Sequence, residues 1–222
     1  MSFSDVIRKA GRCIKSGFLD FCSGVRDVWI SVRNRVKDLI GSFMDLFDTA
    51  DIANPDECEK LRRKAASAAI RMVLGDNPLQ AICDADSSER ERMLAALTDR
   101  VACAIGIPAP DISVEIMKRW TAGYYRCSLD RIVVNRAEVD RFPMAVDEAA
   151  ELLDTLIHEI YHAFQYNAIV RPSKNGVTKE QAAEWRKNFR NYISYDHNPR
   201  LYWIQPVEES ARAFAHAVVL GC

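Results

Sequence analysis

His158-Glu159-Ile160-Tyr161-His162 lies inside residues 146–166, where Ala149, Leu152, Leu153, Leu156, Ile157, Ile160, Ala163 and Phe164 recur at three- and four-residue spacings. That is the period of one buried helix face. Two histidines four apart on a helix point the same way. Their imidazole nitrogens can share one tetrahedral ion at about 2.0–2.1 Å, while Glu159, one position round, stands beside the ion rather than on it. This is the geometry of a zinc-bound water with its base. Three matched residues are a weak signal alone. Here they sit late in an amphipathic helix, with Asp154 one turn before His158 and Gln165 just beyond His162.

A catalytic zinc site takes three protein ligands and leaves a fourth position open. A metzincin continuation needs Gly at 165 and His at 168, but the chain has Gln165 and Ala168, which removes that option. A glutamate from a second helix remains. Gln205-Pro206-Val207-Glu208-Glu209-Ser210-Ala211 supplies candidates 46 residues after His162. Ala211 and Ala215 share the face of Glu208 and leave room for close approach to the motif helix. Glu208 is therefore the expected third metal ligand, with Glu209 as the alternative. His197 and His216 read as ordinary surface or hydrogen-bonded histidines. Asp154 is placed to orient His158 through its second nitrogen.

His158 to His162 followed by Glu208-x-x-Ala211 resembles the gluzincin group of zinc metallopeptidases. The resemblance implies an α+β, zincin-like domain: a backing helix, a small mostly antiparallel sheet, the motif helix and the glutamate helix, in that order. Residues 87–220 can be laid onto it. The backing helix would be 87–105 and the edge strand Arg131–Asn135, which could take an extended peptide as an added strand. One departure is Arg212, where many gluzincins carry an aspartate that supports a histidine. Peptide deformylases also place H-E-x-x-H on a helix and use an upstream cysteine. Cys127 is upstream, but Tyr125-Arg126-Cys127-Ser128-Leu129 does not reproduce their pattern.

The 222 residues suffice for one sizeable core or for a catalytic domain with a helical extension. Thirty basic against 31 acidic residues, with no long block of one sign, argues against nucleic acid as the main partner. No run of roughly 18 apolar residues suggests a membrane span, and the first residues do not read as a signal peptide. Seven scattered cysteines do not form a disulfide framework. A cytoplasmic location with reduced thiols is the resulting expectation.

From Ile14 the apolar residues Phe18, Phe21, Val25, Val28, Val32, Val36, Leu39, Phe43 and Leu46 step by three and four. This near-heptad stripe predicts helices that pack along their length. It assigns residues 1–54 to a helical N-terminal region and 55–222 to the zincin-like domain, divided near Asn54-Pro55-Asp56. The stripe of residues 3–47 would pack within the chain, self-associate or bind a partner; covering the cleft as a latent pro-segment is a further option.

Helices are expected over 55–74 and over 87–105, the latter capped by Ser87 and Ser88. Three strands follow at 112–116, 123–127 and 131–135, the last two joined as a hairpin. Helices at 179–192 and 206–220 bracket an irregular stretch, 194–205.

The chemistry expected is peptide-bond hydrolysis with Zn2+ as cofactor, His158, His162 and Glu208 as ligands, and Glu159 as general base. Tyr195, Tyr202 and His197 are candidate donors to the oxyanion. The substrate would be a peptide or protein. The contrasting reading is a non-catalytic metal-binding protein that uses its N-terminal stripe to hold a partner.

Overall fold

The computed structural model describes residues 55–171 and 175–222. The expected stripe over residues 3–47 lies outside the described residues. The predicted 55–74 helix forms as α1 (Pro55–Leu74), with Asp56 and Glu57 in its first turn at the positive end of its dipole. It stops at Gly75, whose φ of +83° suits a residue without Cβ and whose N–H donates to the Arg71 carbonyl at 2.8 Å.

A seven-residue helix, α2 (Pro78–Asp84), follows in a stretch to which no element was assigned. It is too short to display a period, and it buries Ile82. The next helix, α3 (Ser87–Ala104), is capped by Asp86 rather than Ser87 or Ser88: its carboxylate accepts from the Glu89 N–H at 2.8 Å. Arg90, on the first turns of α3, is buried and donates to the carbonyls of Ile82, Cys83, Val139 and Arg141. One guanidinium thus fastens α2 and the segment before the motif helix to α3.

The sheet is small and mixed, with strands β1 (Asp111–Glu115), β2 (Gly123–Arg126) and β3 (Arg131–Asn135) in the order β1-β3-β2. The expected hairpin is present, since β2 and β3 pair antiparallel. Two expectations are corrected. Arg131–Asn135 is the central strand, not the edge, and the sheet is not mostly antiparallel, because β1 and β3 run parallel. The chain reverses twice between them and β3 inserts between its predecessors. Ile132, Val133 and Val134 are all buried, the continuous apolar run of a strand covered on both faces. β1 and β2 are the two edge strands.

After a short helix, α4 (Arg136–Val139), comes the motif helix α5 (Val146–Val170), longer than predicted at its C-terminal end. From Leu152 to Gln165 all but Asp154 and Thr155 are buried, so this helix runs through the middle of the domain. Helix α6 (Lys179–Arg190) is capped by Thr178 and buries Ala182 and Trp185. The predicted irregular stretch contains a single-turn helix, α7 (Pro199–Trp203), before α8 (Pro206–Leu220).

Buried Ala211 and Ala215 line α8, and Phe214 stacks on Tyr161 of α5 with ring centroids 4.3 Å apart. The result is a helix-rich α+β fold. Among the described residues no helix is long and apolar enough to cross a membrane.

Candidate metal centre

Helices α5 and α8 bring three donors together. Glu208 Oε2 lies 3.2 Å from His158 Nε2, and Glu208 Oε1 lies 3.2 Å from His162 Nε2. Glu208 is fully buried and both histidines nearly so. Two donor atoms about 2.05 Å from one tetrahedral ion stand about 3.3 Å apart, so the spacing fits a shared cation. Among the described residues Glu208 Oε2 accepts no hydrogen bond, with only the His158 ring and the Arg212 guanidinium, 3.8 Å away, beside it, and a buried carboxylate oxygen so weakly satisfied is costly. The group can therefore hold a metal ion. Glu209, one residue on, is exposed.

Gln165 organises the second histidine. Its amide nitrogen donates to the Val207 carbonyl at 2.9 Å and to Ser210 Oγ at 2.8 Å. With both amide hydrogens engaged, Oε1 can only accept, and it lies 2.8 Å from His162 Nδ1. The proton consequently sits on Nδ1, and Nε2 keeps its lone pair for an ion. The same side chain ties α5 to the first turn of α8, so the two ligand-bearing helices share one fastener. Asp154 does not play the matching part for His158: it is half-buried, and among the described residues no hydrogen bond joins the two.

Burial alone would raise the Glu208 carboxyl, but contact with the His158 and His162 imidazoles outweighs it and holds the group well below the usual carboxylate range. For His162 burial works downward, yet Glu208 and Glu159 raise it above the ordinary histidine value. Glu159 points to the cleft beside these residues. Burial pushes its carboxyl up, while His158, His162 and the Tyr125 backbone N–H oppose the shift.

β2 lies over this carboxylate because residue 123 is glycine. A Cβ there would meet Thr155 Cγ2 at 2.9 Å and the Val133 carbonyl at 3.1 Å. The Asn135 N–H bonds to the Ala122 carbonyl at 2.8 Å, so the alternation of an antiparallel pair directs the backbone groups of Gly123 and Tyr125 away from β3. The buried Asn135 side chain donates to the carbonyls of Lys118 and Thr121 and accepts from the Met117 N–H, which sets the loop leading into β2.

The far wall comes from residues 189–205. Tyr192 OH donates to Glu208 Oε1 at 2.6 Å, and Tyr202 also reaches Glu208. Burial, then Glu208, drive both phenols far above their ordinary range, so both remain proton donors. Gln205 holds this wall, accepting from the Ile193 N–H at 2.9 Å and donating to the Ile193 carbonyl at 2.8 Å. Two cavities, of about 320 and 590 Å3, open along β2 on either side of Glu159.

Of the predicted donors, Tyr202 is at the site, Tyr195 lines the larger cavity, and His197 is exposed and lines neither. Tyr192 was read as helix end and missed; its position depends on the Gln205 contacts, which no local pattern reveals. Gln165 could have been found from its spacing three residues after His162. Cys127 lines the smaller cavity, but the ligand group among the described residues contains no cysteine. Arg212, in place of the expected aspartate, lies 3.8 Å from Glu208 Oε2 and stacks over Trp203.

Neither a protein-family model nor a curated protein nor a solved structure matches this chain. Fold and site together define a helix-rich α+β protein with a buried His158, His162 and Glu208 group that can hold a metal ion.

Proposed function

We propose that the protein is a zinc-dependent metallopeptidase. The observation that carries this is a buried donor group spaced for one ion, with a second carboxylate, Glu159, and an open strand edge facing the same cleft. Two imidazoles and a carboxylate suit zinc. Bound there, zinc would lower the pKa of a water toward neutrality and polarise a carbonyl.

An extended peptide adds to the Gly123 and Tyr125 edge of β2, which lays its backbone across Glu159. Glu159 takes a proton from the attacking water as its oxygen bonds to the carbonyl carbon. The same carboxyl returns that proton to the amine nitrogen as the C–N bond breaks. Tyr192 and Tyr202 turn from Glu208 to donate to the oxyanion in between. Gln165 and Gln205 keep the donors and the phenols in place throughout.

Elemental mass spectrometry and hydrolysis of a peptide mixture, run on the wild type, His162→Ala, Glu208→Ala and Glu159→Gln, test the proposal. Both ligand variants should lose zinc. Glu159→Gln should keep it and hydrolyse about 100- to 10,000-fold more slowly. Zinc retained in Glu208→Ala would refute the ligand set. A zinc-loaded wild type without hydrolysis would favour a metal-holding binding protein.

A further inference from the structure

The two cavities along β2 differ in chemistry. The larger, on the His158 side, adds the charged Asp154, Asp196 and Arg212 to its aromatic lining and shares Tyr192 and Tyr202 with the smaller. The smaller, on the His162 side, is walled by Tyr125, Phe189, Tyr192 and Tyr202, and among the described residues no lysine or arginine lines it. Its walls are braced from behind. Phe189 stands edge-on to both His162 and Tyr166, with centroids 6.1 and 6.2 Å apart, and Tyr166 meets Tyr125 at 6.4 Å. A volume of about 320 Å3 exceeds what one aromatic side chain needs, and such rings prefer offset or edge-on neighbours at these separations.

Charge selects further. Among the described residues the carboxyl groups that line it are those of Glu159 and Glu208. An acidic side chain would meet two carboxylates whose charge already offsets that of a bound zinc, with no lysine or arginine among the described lining residues to answer it. A basic one would compete for the carboxylates that hold the proton and the histidines. Direction follows from the strand edge. A peptide added antiparallel to β2, the slightly stronger pairing, runs from the Arg126 end toward Gly123. The smaller cavity then receives the side chain on the amino side of the bond that breaks.

Resting on the peptidase reading, we infer that this cavity selects a large apolar residue, aromatic first, as the one whose carbonyl is attacked. Phe189 is the specificity residue of its outer wall.

The test uses the zinc-loaded full chain and the N-acetyl hydroxamates of phenylalanine, leucine, alanine, arginine and aspartate, titrated by calorimetry. These place the side chain on the amino side of a zinc-binding group. Phenylalanine should bind about tenfold or more tighter than alanine, as burial of a ring requires, with aspartate weakest. Phe189→Ala should abolish most of that preference and Phe189→Leu retain it, with melting curves showing that both variants fold.

Equal affinities, or tightest binding by arginine or aspartate, would overturn the inference. Cleavage sites in a peptide mixture give the second reading: cuts after aromatic or large aliphatic residues support it, and cuts before them or without regard to them refute it. Hydroxamate preference with no peptide cleaved would sink the peptidase reading while leaving the cavity assignment standing.

Discussion

Replacing Gln165 by leucine separates a residue that supports the metal from one that only supports the fold. The variant keeps roughly the volume and removes three hydrogen bonds, one to His162 Nδ1 and two to α8. At about 0.5–1.5 kcal/mol net for each, the metal-free protein should lose about 2–4 kcal/mol. At about 2–4 °C per kcal/mol this lowers Tm by roughly 5–15 °C. Loss of a histidine's supporting partner also weakens metal binding by about 10- to 100-fold.

Take free zinc at about 1,000 times the wild-type Kd: zinc then adds about 4.1 kcal/mol to the wild type and, after a 100-fold loss, about 1.4 kcal/mol to the variant. The stability gap should therefore widen by up to about 2.7 kcal/mol on going from chelator to zinc. Denaturant unfolding in both conditions, with chelator competition for the affinities, measures this. Gln165→Glu keeps an acceptor for the Nδ1 proton and loses only the amide donors. Its fold stability should drop while its zinc affinity stays within about tenfold of wild type. An equal gap between wild type and Gln165→Leu in zinc and in chelator would refute the assignment and leave Gln165 a purely structural residue.

Gly123→Ala forces β2 off α5, since the central-strand carbonyl of Val133 cannot yield. About 1–3 kcal/mol of stability should be lost, and hydrolysis should fall with zinc content unchanged, read by melting and metal analysis. Phe214→Ala, at a fully buried ring stacked on Tyr161, should cost about 3–5 kcal/mol in chemical denaturation; less than about 1 kcal/mol would contradict the packing. In the metal-free protein, burial lowers and Glu208 and Glu159 more strongly raise His162. Its stabilisation is complete below the unfolded histidine value and is lost as pH rises through the raised folded one. Glu208, depressed by the same contacts despite burial, contributes above the ordinary carboxylate range and less as pH falls through its folded value. Metal-free stability from this pair should thus peak in mildly acidic solution. Zinc must displace the His162 proton, so its apparent affinity should rise by up to about tenfold per pH unit below the His162 pKa, and a pH-independent affinity would show that His162 is not a ligand.

The motif helix was legible because its information is local. Two histidines at i and i+4 share a face in any helix, and the apolar period around them required one. The glutamate helix was legible as an element, with Glu208 and Glu209 both offered. One residue turns a helix by about 100°, so burying Ala211 and Ala215 against α5 put Glu208 inside and Glu209 in solvent. The three strands were found in place, but not their order. Whether Arg131–Asn135 lies in the middle or at the edge depends on which neighbours close on it, although Ile132-Val133-Val134 carried the hint. Helices α2, α4 and α7 were missed because one or two turns show no period.

By itself, then, the sequence determined the helices that carry the donors, the residue types on offer and the face each histidine presents, because those follow from spacing along one element. Only the tertiary structure decided which glutamate meets them, that β2 rather than β3 borders the cleft, and that Gln165, Tyr192 and Tyr202 surround Glu208. Those are contacts between elements remote in the chain, set by how the helices and strands bury one another, and no local pattern encodes them.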